Sequence, residues 1–420
     1  MPSVRSADSA LMREMNIALI LQCLNRQAPL SRARLARITG LTKATVSSLI
    51  NELIDAGFIR EVGIVNGHKG RPSIQLELDP DVGYIIGAQI EVGMISVILS
   101  NFAAEVLWRH EEMTRELQSQ DEILERLIDI ISQAYRSAQR DHRPILGLGL
   151  GVPGLVDAKS GTFLFGPNLG WREVSLREIL QEHFPFPIYV DNDAKMAALG
   201  ESYFGSARSA SYVLYLSSAV GLGAGVVIDR QILQGIAGLA GEVGHMIINP
   251  NGPLCACGNH GCWETYASQV AVFRHIRESV DAGQKTQLIE MTSGNLDLLT
   301  IPMVVQAAKD QDPVARRALE EVGTYLGLGL ANLINALNPE LVVLGGILVI
   351  AHEIILPIIK DVIEKRSLEW SRKTSRLVIA MHGRYSCLMG GIATVYHHVL
   401  EQPLVRAKPV SSMDEPALVG

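Results

Sequence analysis

The sequence predicts an α/β protein in which a small helical head precedes a body of two similar lobes. Three observations lead there. The first sixty residues carry three apolar repeats of helical spacing. Residues 84–156 then read as strands, a helix and a buried strand. From Ser211 that plan starts again, with Tyr212 to Leu216 and Gly225 to Ile228 as opening strands. The boundaries expected from this pattern are 1–80, 81–205 and 206–400. A mobile tail is expected over 401–420, which holds three prolines and little periodicity.

In the head, Ile17, Ile20, Leu21 and Leu24 mark one buried helix face. Pro29-Leu30 ends that helix, and Ser31 can cap a second one carrying Leu35 and Ile38. Gly40 supplies a turn, Thr42 caps again, and Val46, Leu49, Ile50 and Leu53 repeat the apolar spacing. Two short helices joined through a glycine turn make a helix-turn-helix. Lys43, Ala44, Thr45, Ser47 and Ser48 face outward near the start of the third helix, small and polar enough to enter a DNA major groove. Phe58 to Val62 and Ser73 to Leu78 read as a hairpin turning at Asn66-Gly67. This adds a wing whose Lys69 and Arg71 lie where phosphates would be touched. A three-helix adaptor is the alternative.

Charge agrees with a nucleic-acid contact confined to the head. Residues 1–80 hold ten lysines and arginines against seven acids, while the remainder holds 27 against 37. With 48% hydrophobic and 19% charged residues, the composition is that of a soluble globular protein. No apolar run approaches the roughly 18 residues of a membrane span, and no signal-type stretch follows Met1, so a cytoplasmic location is expected.

In the body, strands are expected at Tyr84 to Ile90, Ile95 to Leu99 and Ala104 to Trp108. A helix is expected over Asp121 to Gln139, with Leu124, Leu127, Ile128 and Ile131 on one side, followed by a buried strand from Ile145. The densest chemistry lies further on. Cys255, Cys257 and Cys262 follow ten residues behind His245, and three thiolates with one imidazole make a closed tetrahedral set for structural Zn2+. Gly258 and Gly261 let so short a loop fold back on itself. A redox loop is the alternative. Glu242 and Glu264 bracket the loop, and Asp191-Asn192-Asp193 follows the apolar run Pro187 to Val190, at a strand end where α/β proteins bind ligands.

Six segments together resemble the ROK family of repressors, open reading frames and sugar kinases: Gly149 to Val156, Pro167 to Trp171, Asp191 to Ala194, Gly241 to His245, Cys255 to Cys262 and Asn338 to Gly346. The resemblance runs from about residue 84 to 398. It implies an actin-like (ribonuclease-H-like) body with a sugar bound between the lobes. Carried over by position, the sugar contacts fall on Asn168, Asn192, Asp193, Glu242, His245 and Glu264. In the family's kinases, the aspartate matching Asp193 is the base that deprotonates the sugar hydroxyl.

Those kinases also carry Asp-x-Gly-Gly-Thr between the first two strands, where amides cradle ATP phosphates. Here Gln89-Ile90-Glu91-Val92-Gly93 stands there, and Ala219-Val220-Gly221-Leu222-Gly223 replaces Gly-Thr-Gly-x-Gly. The resemblance therefore implies a sugar-responsive transcriptional repressor and no catalytic residue. Its partners would be operator DNA and an aldose, D-xylose first, and paired half-sites would call for a homodimer or a dimer of dimers. An ATP-dependent sugar kinase and a glucose- or N-acetylglucosamine-responsive regulator are the alternatives.

Overall fold

Ser31 and Thr42 cap their helices as expected: each side chain accepts the backbone N–H three residues on, that of Arg34 and of Thr45. In the computed structural model, which describes residues 9–65, 73–114, 119–139 and 142–402, the head comprises α1 (Ser9–Gln27), β1 (Leu30–Ser31), α2 (Arg32–Thr39), α3 (Lys43–Asp55), β2 (Ile59–Val65) and β3 (Ser73–Leu78). Gly40 takes the left-handed conformation, φ +73°, that turns α2 into α3. The expected apolar faces of α1 and α3 are fully inside. Ile38 is not: it is 40% exposed, because Leu35 and Ala36 already form the buried face of so short a helix. The strands pair in the order β1-β3-β2. The hairpin turn at Asn66-Gly67, with Lys69 and Arg71, lies outside the described residues.

The first lobe contains β4 (Tyr84–Glu91), β5 (Met94–Asn101), β6 (Val106–Met113), α4 (Gln120–Gln139), β7 (Ile145–Val152), β8 (Leu155–Asp157), β9 (Thr162–Gly166), β10 (Trp171–Val174), α5 (Leu176–Gln181), β11 (Ile188–Asn192) and α6 (Asp193–Phe204). Its main sheet runs β11-β7-β4-β5-β6, antiparallel through β4, β5 and β6 and parallel through β4, β7 and β11. Ala104 sits in a left-handed turn, φ 62°, so β6 starts at Val106 and runs on to Met113, later than the apolar run alone suggests. In α4, Ile130 is inside where Ile128 was expected, and Ile128 is half-buried.

The second lobe contains β12 (Tyr212–Ser218), β13 (Leu222–Ile228), β14 (Gln231–Ile232), α7 (Glu264–Ala267), α8 (Gln269–Asp281), α9 (Leu288–Met291), α10 (Ile301–Lys309), α11 (Pro313–Leu337), β15 (Leu341–Gly345), α12 (His352–Arg366), α13 (Glu369–Thr374) and β16 (Arg376–Ile379). Its sheet runs β14-β13-β12-β15-β16 with the same alternation of antiparallel and parallel pairs. The two lobes thus repeat one topology, as the recurrence at Ser211 predicts.

The last helix, α14 (Ser386–Glu401), departs from the expected boundary. Read by position it belongs with residues 206–400, yet it packs against β4, β7 and α6 of the first lobe. The reason is steric. Gly87, Gly149 and Gly391 leave no room for a Cβ where the helix crosses the sheet, so backbone meets backbone there. The far half of α14 then joins the head: Val399, Leu400 and Tyr396 share one apolar core with Ile17, Ile20 and Leu24, and the Tyr396 hydroxyl donates to Asn25 Oδ1 at 3.1 Å. Residues 403–420 lie outside the described residues.

Candidate metal centre and polar cleft

The metal loop is held by short-range bonds that follow from its sequence. Cys255 N–H donates to Asn259 O at 2.8 Å and Gly258 N–H to Cys255 O at 2.9 Å, a tight turn that Gly258 closes at φ +93°. An isolated bridge between Ile247 and Cys262 ties this loop to the turn carrying His245. Beneath it Trp263 is fully buried, its indole N–H donating to Tyr325 O of α11 at 2.8 Å. Trp263 anchors the loop and was not singled out from sequence; a lone tryptophan beside a cysteine loop carries no signal of its own.

His245, Cys255, Cys257 and Cys262 converge as expected, their donor atoms all within 4.8 Å of one another. Cys255 Sγ lies 3.7 Å from His245 Nδ1, and Cys257 Sγ lies 3.7 Å from Cys262 Sγ. Those separations suit a tetrahedral cation bound at about 2.0–2.3 Å and are far too long for a disulfide. Burial raises the thiols of Cys255 and Cys262, the latter to about 12, so it is a bound cation that would draw off their protons. His260 is not part of the set: its Nδ1 faces Gly252 O at 3.1 Å.

Between the lobes a cleft is lined by all six expected side chains: Asn168, Asn192, Asp193, Glu242, His245 and Glu264. The Asp-Asn-Asp run divides its work. Asp191 turns away and accepts from Gln234 Nε2 at 3.0 Å. Asn192 Oδ1 caps α6 by accepting from the amides of Ala194 and Lys195, and its Nδ2 donates to Gly154 O at 3.0 Å, which leaves one amide proton for a ligand. Asp193, the first residue of α6, borders the cleft, and burial together with the nearby carboxylates Glu91 and Glu242 pushes its carboxyl up to about 7. Glu264 Oε2 accepts the Leu222 N–H at 2.9 Å, and a side chain at Gly221 would run into it. His245 serves both sites, since it borders the cleft while its Nδ1 faces Cys255.

On the head, Lys43, Ala44 and Ser48 are exposed and Thr45 and Ser47 half-buried along the first turns of α3. Trp171, beside Asn168 in sequence, is buried against Phe163 with ring centroids 6.0 Å apart and supports the Asn168 loop from below.

The family model for ROK matches residues 86–398. The chain belongs to the ROK family. A winged helix-turn-helix DNA-binding model matches residues 19–60, so this ROK protein joins a winged helix-turn-helix head to an actin-like body. Among curated relatives, the xylose repressor of Caldicellulosiruptor bescii is 37% identical over 94% of this chain and 98% of its own length. The xylose repressor of Bacillus subtilis is 31% identical over the same shares. Among solved structures, a ROK family transcriptional regulator, a homolog of the Escherichia coli MLC protein, superimposes with TM-score 0.81 at 28% identity, covering 94% of this chain and 99% of its own. A ROK glucokinase from Streptomyces griseus, in complex with glucose and AMPPNP, covers 74% of this chain and 99% of its own at TM-score 0.66 and 29% identity.

Proposed function

We propose that this ROK protein is a transcriptional repressor of carbohydrate-utilisation genes that leaves its operator when an aldose, D-xylose foremost, enters the cleft. The observation that carries the reading is a cleft lined by four carboxylates, two amides and an imidazole, on a chain that also carries a DNA-binding head. Acceptor-rich walls suit the hydroxyls of a sugar. Relatives that are xylose repressors along nearly their whole length support the choice of sugar. Operator contacts fall on Lys43, Ala44, Thr45, Ser47 and Ser48 of α3 and on Lys69 and Arg71 of the wing. Two heads reading paired half-sites make the working unit a homodimer or a dimer of dimers in the cytoplasm.

His245, Cys255, Cys257 and Cys262 hold Zn2+ in a closed, structural site. Bound there, the ion would supply rigidity to the loop from which Glu264 reaches the cleft. No phosphoryl transfer is assigned. At the β4–β5 turn Glu91 stands where glycine amides would have to cradle phosphates, and like charges repel there.

Operator affinity with and without saturating D-xylose tests the reading, expected to fall when sugar is present. By linkage the sugar must bind the DNA-bound form more weakly by the same factor. Operator affinity unmoved by any aldose, or sugar-dependent release of ADP from ATP, would overturn it, the second in favour of a sugar kinase.

A further inference from the structure

One carboxylate in the cleft has no partner among the described residues of the protein. Glu91, the last residue of β4, borders the same cavity as Asp193 and Glu242 and is half-buried. Arg384, whose charge reaches Glu91, is taken: it pairs with Glu111 and lies over the Tyr385 ring. Among the described residues the Glu91 side chain makes no hydrogen bond or ion pair, and neither does that of Glu242. Four carboxylates, Glu91, Asp193, Glu242 and Glu264, face this one cavity, and those of Glu91 and Glu242 are open to an incoming donor. Side-chain donors on the walls are the Asn168 amide, the spare proton of Asn192, the Ser217 hydroxyl and the outer imidazole nitrogen of His245, set against four carboxylates. The complementary ligand is therefore rich in O–H donors and bears no negative charge.

We propose that Glu91 is a sugar-contacting, specificity-determining residue that accepts a hydroxyl from a free aldose and excludes its phosphate esters. This rests on the sugar-repressor reading. A phosphate brought beside ionised Glu91 meets like charge in a poorly screened cleft, enough to weaken binding by roughly a hundredfold or more. The hydroxyl bond to Glu91, a charge-assisted one, is worth about tenfold in affinity.

The test is calorimetric titration of the full-length protein with D-xylose, followed by competition with D-xylose 1-phosphate and D-glucose 6-phosphate, which place phosphate at opposite ends of the ring. The parent should bind xylose and ignore both esters. Glu91→Gln should bind xylose about tenfold more weakly and let at least one ester compete. Glu91→Asp, which retracts the charge by one methylene, should lose xylose affinity yet still exclude the esters; it keeps the test open should the glutamine variant fail to fold. Gain of ester binding is not something a merely structural glutamate would produce. Unchanged xylose affinity and unchanged ester exclusion in Glu91→Gln would overturn the proposal, as would a parent that binds an ester as tightly as xylose. A parent that binds no aldose sinks the sugar reading itself, and Glu91 with it.

Discussion

Replacing Gly200 by alanine separates two opposing effects whose sizes can be worked from the packing of α6 on α14. Alanine in a helix interior is favoured over glycine by about 1 kcal/mol, so propensity alone stabilises. Yet a Cβ at Gly200 would lie 2.6 Å from Gly390 N, 2.7 Å from Ser386 O and 3.0 Å from Gly390 Cα, where ordinary contact begins at 3.4 Å. All three are backbone atoms, so no side chain can swing aside and the helices must part by up to 0.8 Å. Overpacking of this kind costs about 1–3 kcal/mol, and it outweighs the propensity gain unless the crossing relaxes easily. A net loss of up to about 2 kcal/mol corresponds to as much as about 8 °C in Tm for a domain of this size. The functional consequence is larger than the thermal one. The first residue of α6 is Asp193, and α14, about 24 Å long, starts at Ser386 and Cys387, the latter packed against Gly151 near Asp193, and reaches Tyr396 and Val399 in the core of the head. Gly200→Ala should therefore weaken both xylose binding and the effect of xylose on operator affinity. Thermal unfolding by circular dichroism and operator titration by fluorescence anisotropy, each with and without xylose, give the readouts. A raised Tm with an unaltered sugar response would refute the argument, since propensity would then have won and the crossing would not couple cleft to head.

Cys262→Ser removes a fully buried donor, so metal content should fall and Tm drop sharply; plasma emission spectrometry on the purified variant checks it, and full metal retention would argue against the ligand set. Asp193 is raised to about 7 and Glu91 to about 6, each first by burial. The folded protein thus keeps protons that the unfolded chain, with carboxyls near 4, has lost. Unliganded stability should accordingly fall as pH rises from about 4 to 7 and then level off. Sugar hydroxyls donate to the ionised form, so xylose affinity should rise between pH 6 and 8, a trend that Asp193→Asn should flatten while leaving operator binding near the parent's. Affinity that falls with pH would contradict this. Ser47→Ala and Thr45→Ala should change which operator base pairs are preferred by about 1–3 kcal/mol, whereas Lys43→Ala should weaken binding to all sequences and lower its salt dependence; competition with scrambled DNA distinguishes the two.

Local chemistry is what the sequence by itself determined. Ser31, Thr42 and Gly40 set the helix-turn-helix because capping and left-handed turns depend on neighbours three or four residues away. The cysteine loop was legible for the same reason, since its ligands lie within eighteen residues and two glycines shape the turn. Glu242, Glu264 and the Asp191-Asn192-Asp193 run stood out by their positions, but that they meet Asn168 and His245 in one cleft was legible only through resemblance; no periodicity would bring Asn168 to Glu264. Tertiary structure decided the rest. It sent Asp191 away from its neighbours to Gln234, and it used most of Asn192 as a helix cap. It also left Glu91 without a partner and returned α14 to the first lobe through glycine contacts distant in sequence. The physical reason is common to these cases. Which hydrogen-bond partner or packing surface a side chain meets depends on segments tens to hundreds of residues away, and such pairings leave no periodic trace in the chain.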